Sequence, residues 1–456
     1  MNPRFVCHRK EEPMLTTPRL CIMMFIQFFI WGAWYVTGPN YLETIGFGAE
    51  DFGWTYSVGP IAGMISPFLV GMIADRFLPS QIVLGILHLI GTAGMYVATT
   101  FMTVENPSPD TINIVFFCFM LSFFPTVAIV NTVAMSNIAD TEKTFPMIRV
   151  FGTIGWIAAG LTVSWLGADA TIDQFYLAIG ASAVMGLYSF TLPNTPPPAK
   201  GTPFSASQAI GLDAMSLLKD RSFCVFMIGS FLICIPLAFY YQMAARFITD
   251  AGMANPAAKM TLGQMSEVAF MLALPLAIRT FGLKMTLLVG MVAWVLRYLM
   301  FSFSAPEGLM ADSLIPLDFM LVGTPEAGYT SVMLSTPILL MLGSILLHGI
   351  CYDFFFVTGQ IYTDKIAPPE IRSQAQGMLV FFTLGMGMFI GALVAGKIEA
   401  AHTVMVEATE PSAEPGKMVE WASLWLKPAG MAAVVMLLFA FAFSGKKAEE
   451  SPPDAA

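Results

Sequence analysis

Runs of about twenty mostly apolar residues recur along nearly the whole chain, which is the length a helix needs to cross the hydrocarbon core of a bilayer. Inside that core no water is available to backbone N–H and C=O groups, so a spanning segment must bond them internally, and a helix does this within one segment. Twelve such runs are centred near residues 30, 64, 92, 123, 158, 182, 234, 270, 293, 345, 385 and 434. Of the 456 residues, 56% are hydrophobic and 12% charged, against roughly 25% charged in soluble domains. A soluble fold is excluded. The chain reads as an all-α integral membrane protein with twelve transmembrane helices, solvated by the lipid bilayer, with nothing to suggest a nucleic-acid partner.

With the N-terminus placed in the cytoplasm, sixteen of the 22 Lys and Arg fall on the cytoplasmic side. Acids dominate outside, among them Glu43, Glu50, Asp51, Glu105, Asp110, Asp169, Asp173 and a group over 399–420. This is the positive-inside pattern, and it puts both termini in the cytoplasm. The first apolar run starts near Arg19 without a small-residue cleavage site, so it reads as a retained span and not a removed signal peptide. Trp54 and Trp425 suit interfacial anchors and helix packing equally well. The six cysteines show no disulfide or metal-ligand spacing, and no metal site is expected. Residues 305–335 are too broken by Pro, Gly and acids to span, and read as a long external loop with a short surface helix.

The stretch PNTPPPAKGTPFSASQAIGLDAMSLLKD reads as a cytoplasmic linker. It divides the chain into a tail (1–18), a six-helix half (19–192), the linker (193–220), a second six-helix half (221–444) and a second tail (445–456). Short stretches recur at matching places in the halves: PMIR at 146–149 and PEIR at 369–372, ADRF at 74–77 and IRTF at 278–281. Parallel six-helix repeats are a known transporter plan. Gly71-Met72-Ile73-Ala74-Asp75-Arg76 resembles the G-x-x-x-D-R loop signature of the major facilitator superfamily, which makes Asp75 and Arg76 candidates for a cytoplasmic gate. Exposed pairs there, with Arg149, Arg279 and Arg372 nearby, would bias an outward-open latch only collectively.

Glu267 and Asp353 lie deep in apolar runs. A charge at the bilayer centre costs about 2.5–3.5 kcal/mol on insertion scales, so such groups usually serve proton relay or polar-solute binding. Both are candidate proton-coupling residues. Gln264 and Glu267 are three apart and share a helix face; together they offer a donor, acceptors and a proton site. The alternative for this pair is a hydrogen bond that holds the bundle. His348 and Tyr352 share a face on span ten, with Asp353 one residue on; His348 alone suits a structural role as well. Arg149, Thr153 and Trp156 make a stripe on span five, a cation, a hydroxyl and a stacking ring, although Arg149 lies near the cytoplasmic end and equally suits topology. Gln27 and Trp31 on span one, Asn131 on span four and Tyr241 on span seven are candidate cavity-lining residues. Arg246 and Arg297 are candidate partners for acids.

The segments FIQFFIWGAW (25–34), NTVAM (131–135), FPMIRVFGTIGW (145–156), QMSEVAF (264–270), GLKMTLLVGMVAWVLRYLMF (282–301) and HGICYDFFFVTGQIYTDKIAPPEIRSQAQGM (348–378) closely resemble the bacterial nucleoside:proton symporter family. The resemblance runs from about residue 18 to 445. It implies a major facilitator fold of two pseudo-symmetric halves, proton-driven nucleoside uptake by alternating access, a likeness to inner-membrane monomers, and no cofactor beyond the proton gradient. Matched position by position, it implies substrate contact by Arg149, Thr153, Trp156, Gln264, Glu267, Tyr352 and Asp353. Trp156 and Tyr352 stand where Phe is typical, His348 where Tyr is typical, and Ala238 and Tyr241 where the family carries a Gln and an Asn. These departures bear on which solute is carried, and much less on fold or coupling.

The sequence therefore points to a proton-coupled symporter for nucleosides or a related hydroxylated solute. The alternative within transporters is uptake or export of another sugar-like or aromatic metabolite. With no nucleophile–base pair, phosphate loop or soluble domain in view, a membrane enzyme or sensor is the remote reading.

Overall fold

A computed structural model describes residues 15–197, 212–324, 328–368, 371–406 and 416–444. The expected terminal tails up to residue 14 and from 445, the middle of the linker, and Pro369 and Glu370 lie outside the described residues.

The long apolar runs form helices: α1 (Thr16–Gly32), α3 (Ala49–Arg76), α4 (Ser80–Met102), α5 (Pro109–Ser136), α6 (Thr141–Trp165), α7 (Asp173–Ser189), α8 (Arg221–Asp250), α9 (Pro256–Ser304), α10 (Thr336–Ile366), α11 (Gln374–Ala401) and α12 (Trp421–Ala442), with the short α2 (Gly38–Thr44) after α1. Among the described residues, eight helices are long and apolar enough to cross a membrane. Polar side chains cap the starts of α5, α6 and α8. Ser108 accepts from Thr111 N ahead of Pro109, Asp140 from Lys143 N at 3.1 Å, and Asp220 from Ser222 N and Phe223 N at 3.0 and 3.1 Å. Ser108 and Asp140 each occupy one, and Asp220 two, of the amides a helix start leaves unbonded. Pro125, Pro146, Pro236, Pro275 and Pro428 sit inside helices, as membrane helices tolerate; beside one of them, Tyr298 donates to the Pro236 carbonyl at 2.6 Å.

Spans eight and nine are continuous in α9, with one break: Gly282 at φ 74°, ψ 167°, a conformation open to glycine. The stretch 305–335, expected to be an external loop, differs from that expectation. Instead of a surface helix it holds an antiparallel hairpin, β1 (Leu314–Thr324) with β2 (Gly328–Ser335), in register from Leu314↔Ser335 to Thr324↔Gly328 with an irregularity between Leu317 and Leu321. A second hairpin pairs β3 (Thr403–Val406) with β4 (Gly416–Val419).

The chain divides into two compact units, Met1–Gly38 with Ala62–Phe204, and Pro39–Ile61 with Ser205–Ala456. In the first, α1 packs on α6, and α4 on α5 and α7. The α1–α6 contact is tight: a Cβ at Gly155 would clash with the Phe25 carbonyl oxygen. In the second, α9 packs on α10 and α12, while α11 and α12 pack on α8. Trp425 is fully buried there, stacked on Tyr298 at 5.7 Å, so it packs the core; Trp54 is half exposed.

Candidate functional site

In the second unit, α10 changes its winding where its carboxylate sits. His348–Tyr352 is α-helical, Asp353–Val357 is a single π-helical turn, and Thr358–Ile366 is α-helical again. Such widened turns recur at functional positions. Asp353 opens the turn, is 0% exposed, and neither carboxylate oxygen has a hydrogen-bond partner among the described residues. Most buried polar atoms are bonded, so two orphan oxygens on one carboxylate call for an explanation.

The α9–α10 contact brings the other expected residues to the same place. A Cβ at Gly349 would come within 2.7 Å of the Glu267 backbone nitrogen, and Gly349 N donates to Ser266 Oγ at 3.0 Å. Glu267 is half-buried. One turn earlier, the Gln264 amide oxygen is buried without a partner among the described residues. Leu274, Ala277 and Phe354 close an apolar cluster beside the pair. The arrangement can hold a proton and offer hydrogen bonds to a hydroxylated molecule.

His348 is buried at 2% exposure, its Nδ1 3.2 Å from Nη1 of the buried Arg297. Its ring stacks on Tyr240 at 5.4 Å and lies 5.9 Å from Tyr352. Tyr241 is half-buried against Tyr240 at 5.6 Å, and Ala238 is buried, its Cβ 2.8 Å from where a Gly391 Cβ would stand. Arg297 is therefore partnered by an imidazole and a ring, and the expected acid is Arg246's. Arg246, 2% exposed, pairs with Glu399, lies 3.9 Å from Glu43, and covers the Phe52 ring at 4.3 Å. Glu399, expected among the acids outside, is 2% exposed within α11.

In the first unit, Trp31 centres an aromatic cluster with Phe123, Phe124 and Trp156 at 5.6–5.8 Å. Trp156, Thr153 and Arg149 are half-buried along α6, and the Arg149 guanidinium lies over Phe28 at 4.2 Å. The Trp31 indole N–H and the Asn131 amide oxygen are buried without partners among the described residues. Gln27 stands apart. It is 1% exposed and its amide is taken up internally, accepting from His88 Nε2 at 2.8 Å and donating to Thr126 Oγ1 at 2.8 Å. Nothing in the apolar periodicity announces this His88 network. Of the expected gate residues, the side chain of Asp75 lies outside the described residues, and Arg76 ends α3.

A family model described as "Nucleoside H+ symporter" matches residues 14–330 and 326–448. The protein YegT of Escherichia coli (strain K12) is 39% identical over 439 residues, covering 94% of both chains. The xanthosine permease of the same organism is 30% identical over 440 residues, covering 93% of this chain and 95% of its own. A crystal structure of the nucleoside transporter NupG superposes with a TM-score of 0.76 at 28% identity, over 94% of this chain and 100% of that one. A bacterial homolog of the lysosomal transporter Spinster matches at TM-score 0.66 and 10% identity, which concerns the fold alone.

Proposed function

We propose, for a chain that belongs to the nucleoside H+ symporter family, that it moves a nucleoside into the cell together with a proton by alternating access. It is a transporter of that family and not an enzyme. Solute contact is assigned to Arg149, Thr153 and Trp156 in the first unit, with Trp31 and Asn131 beside them. In the second unit it falls to Gln264, Glu267, His348, Tyr352 and Asp353, with Tyr241 beside them. Asp353, with Glu267, couples the proton.

The observation that carries this reading is Asp353 itself, fully buried with both oxygens unpartnered among the described residues. An ionised carboxylate is costly to hold in such surroundings, so the group is compensated by a proton or by donors on a solute. Binding that alternates between these two compensations is a way to couple them. Twelve membrane crossings fit the helices if α9 crosses twice about Gly282 and α1, α3 and α7 each cross once, with both termini cytoplasmic in the inner membrane and the protein working as a monomer. The two halves and linker divide as the sequence suggests, and Asp75 with Arg76 serves the cytoplasmic gate.

The test is uptake of radiolabelled uridine, adenosine and xanthosine by proteoliposomes under an inward proton gradient. Accumulation above equilibrium that a protonophore abolishes is expected for at least one of them. No uptake of any of the three would overturn the nucleoside assignment.

A further inference from the structure

His348 has its proton placed by its neighbour. Arg297 is fully buried on α9, and its Nη1 lies 3.2 Å from His348 Nδ1. A guanidinium has five N–H donors and no acceptor, and it stays protonated. Nδ1 must therefore accept in this bond, and it carries no proton. The single proton of the neutral ring is then on Nε2, and no second can be added while the bond stands.

Both partners are held in place. The Arg297 guanidinium carbon lies 3.3 Å from the centroid of the Tyr240 ring, and Ser344 Oγ donates to the Arg297 carbonyl at 3.1 Å. Tyr240 in turn stacks on the imidazole with planes 22° apart. A Cβ at Gly263 would lie 3.2 Å from His348 Cβ, so α9 leaves little room for the ring to shift. Arg297 is the charged group at the ring; Tyr240 and Tyr352 face it, Cys351 and Asp353 follow on its own helix, and Glu267 stands on α9.

We propose that Arg297 is a positioning residue that locks His348 in the Nε2–H tautomer, which makes His348 a fixed hydrogen-bond donor for an acceptor atom on the solute, a carbonyl oxygen or an unprotonated ring nitrogen, and removes it from the proton path. The proposal rests on the reading of His348 as a solute contact. It divides the labour on α10: Asp353 takes the proton, and His348 reads the solute.

The full-length protein with isotope-labelled histidine in nanodiscs gives an imidazole nitrogen spectrum in which His348 is the signal lost in His348→Leu. An unprotonated Nδ1 and a protonated Nε2 at every pH between about 5 and 8 is expected. In Arg297→Met, which removes the donor but leaves the ring buried, His348 should split between its two neutral tautomers, and in Arg297→Lys, which keeps a donor, it should return to the Nε2–H form. A wild-type His348 that takes up a second proton in that range, or an Arg297→Met spectrum identical to wild type, would overturn the lock. Equilibrium binding of uridine completes the test. His348→Leu and Arg297→Met should each weaken it about two- to twelvefold, the worth of one hydrogen bond, and the double variant should lose no more than either alone. Losses that multiply would mean that Arg297 does not act through His348. A wild type that binds none of uridine, adenosine and xanthosine sinks the nucleoside reading, and the spectrum then decides the lock by itself.

Discussion

Two buried histidines, His88 in the first unit and His348 in the second, sit in similarly apolar helices and end differently. His88 has a neutral partner at each ring nitrogen, Gln27 at 2.8 Å and Ser182 at 3.3 Å, and Gln27 passes the chain on to Thr126. Around His348, by contrast, Asp353 on the same helix keeps two unpartnered oxygens and Arg297, its partner from α9, two unpartnered nitrogens among the described residues. A closed polar network fixes one packing of a core. An open one costs stability and leaves groups ready to meet something else. The first arrangement suits packing, and the second suits the solute and proton roles proposed for it.

Breaking the open side should have the largest effect. Asp353→Asn should reduce gradient-driven uridine accumulation to the level of protein-free liposomes, while counterflow exchange, which needs no net proton movement, survives. Asp353→Asn that still concentrates uridine would erase the contrast between the regions.

Breaking the closed side should injure the fold instead. Gln27→Leu leaves His88 and Thr126 without their partner, and an unsatisfied buried group costs about 1–3 kcal/mol. The variant should melt earlier in detergent, yet transport by the folded fraction should keep its wild-type KM. A changed KM with unchanged melting would return Gln27 to the solute site.

A subtler probe is Trp156→Ala. Loss of an aromatic pair is worth about 0.5–1.5 kcal/mol beyond the buried area, so KM for uridine should rise roughly two- to twelvefold, and an unaltered KM would confine Trp156 to packing. Smallest of all is Arg372→Gln. Its pair with Asp364, 3.3 Å apart, leaves the side chains 34% and 48% exposed, and such pairs contribute about 0–1 kcal/mol. Melting and uptake should both stay near wild type, and a large loss in either would give this pair more weight than exposed pairs deserve.

The helices were legible because apolar runs of spanning length leave few other solutions. Glu267 and Asp353 were legible because charge in such a run stands out. The hairpin Leu314–Thr324 with Gly328–Ser335 was not, since Pro316, Gly323 and Gly328 read locally as loop and only pairing between the two strands makes them strands. The π-helical turn at Asp353 changes winding without changing composition. Glu399 looked like one acid of an external group, because its burial depends on Arg246, 153 residues away. Likewise the Arg297–His348 bond joins residues 51 apart, and helical periodicity says which face a residue is on, not which helix it meets.

The most direct measurement of the central claim is proton movement itself. Proteoliposomes loaded with a pH-sensitive dye, starting with no gradient, should acidify inside when uridine is added to the wild type. Asp353→Asn, reconstituted to the same amount and shown to exchange uridine, should give no acidification. Uridine-driven acidification that persists in Asp353→Asn would contradict the assignment of the coupled proton to this carboxylate.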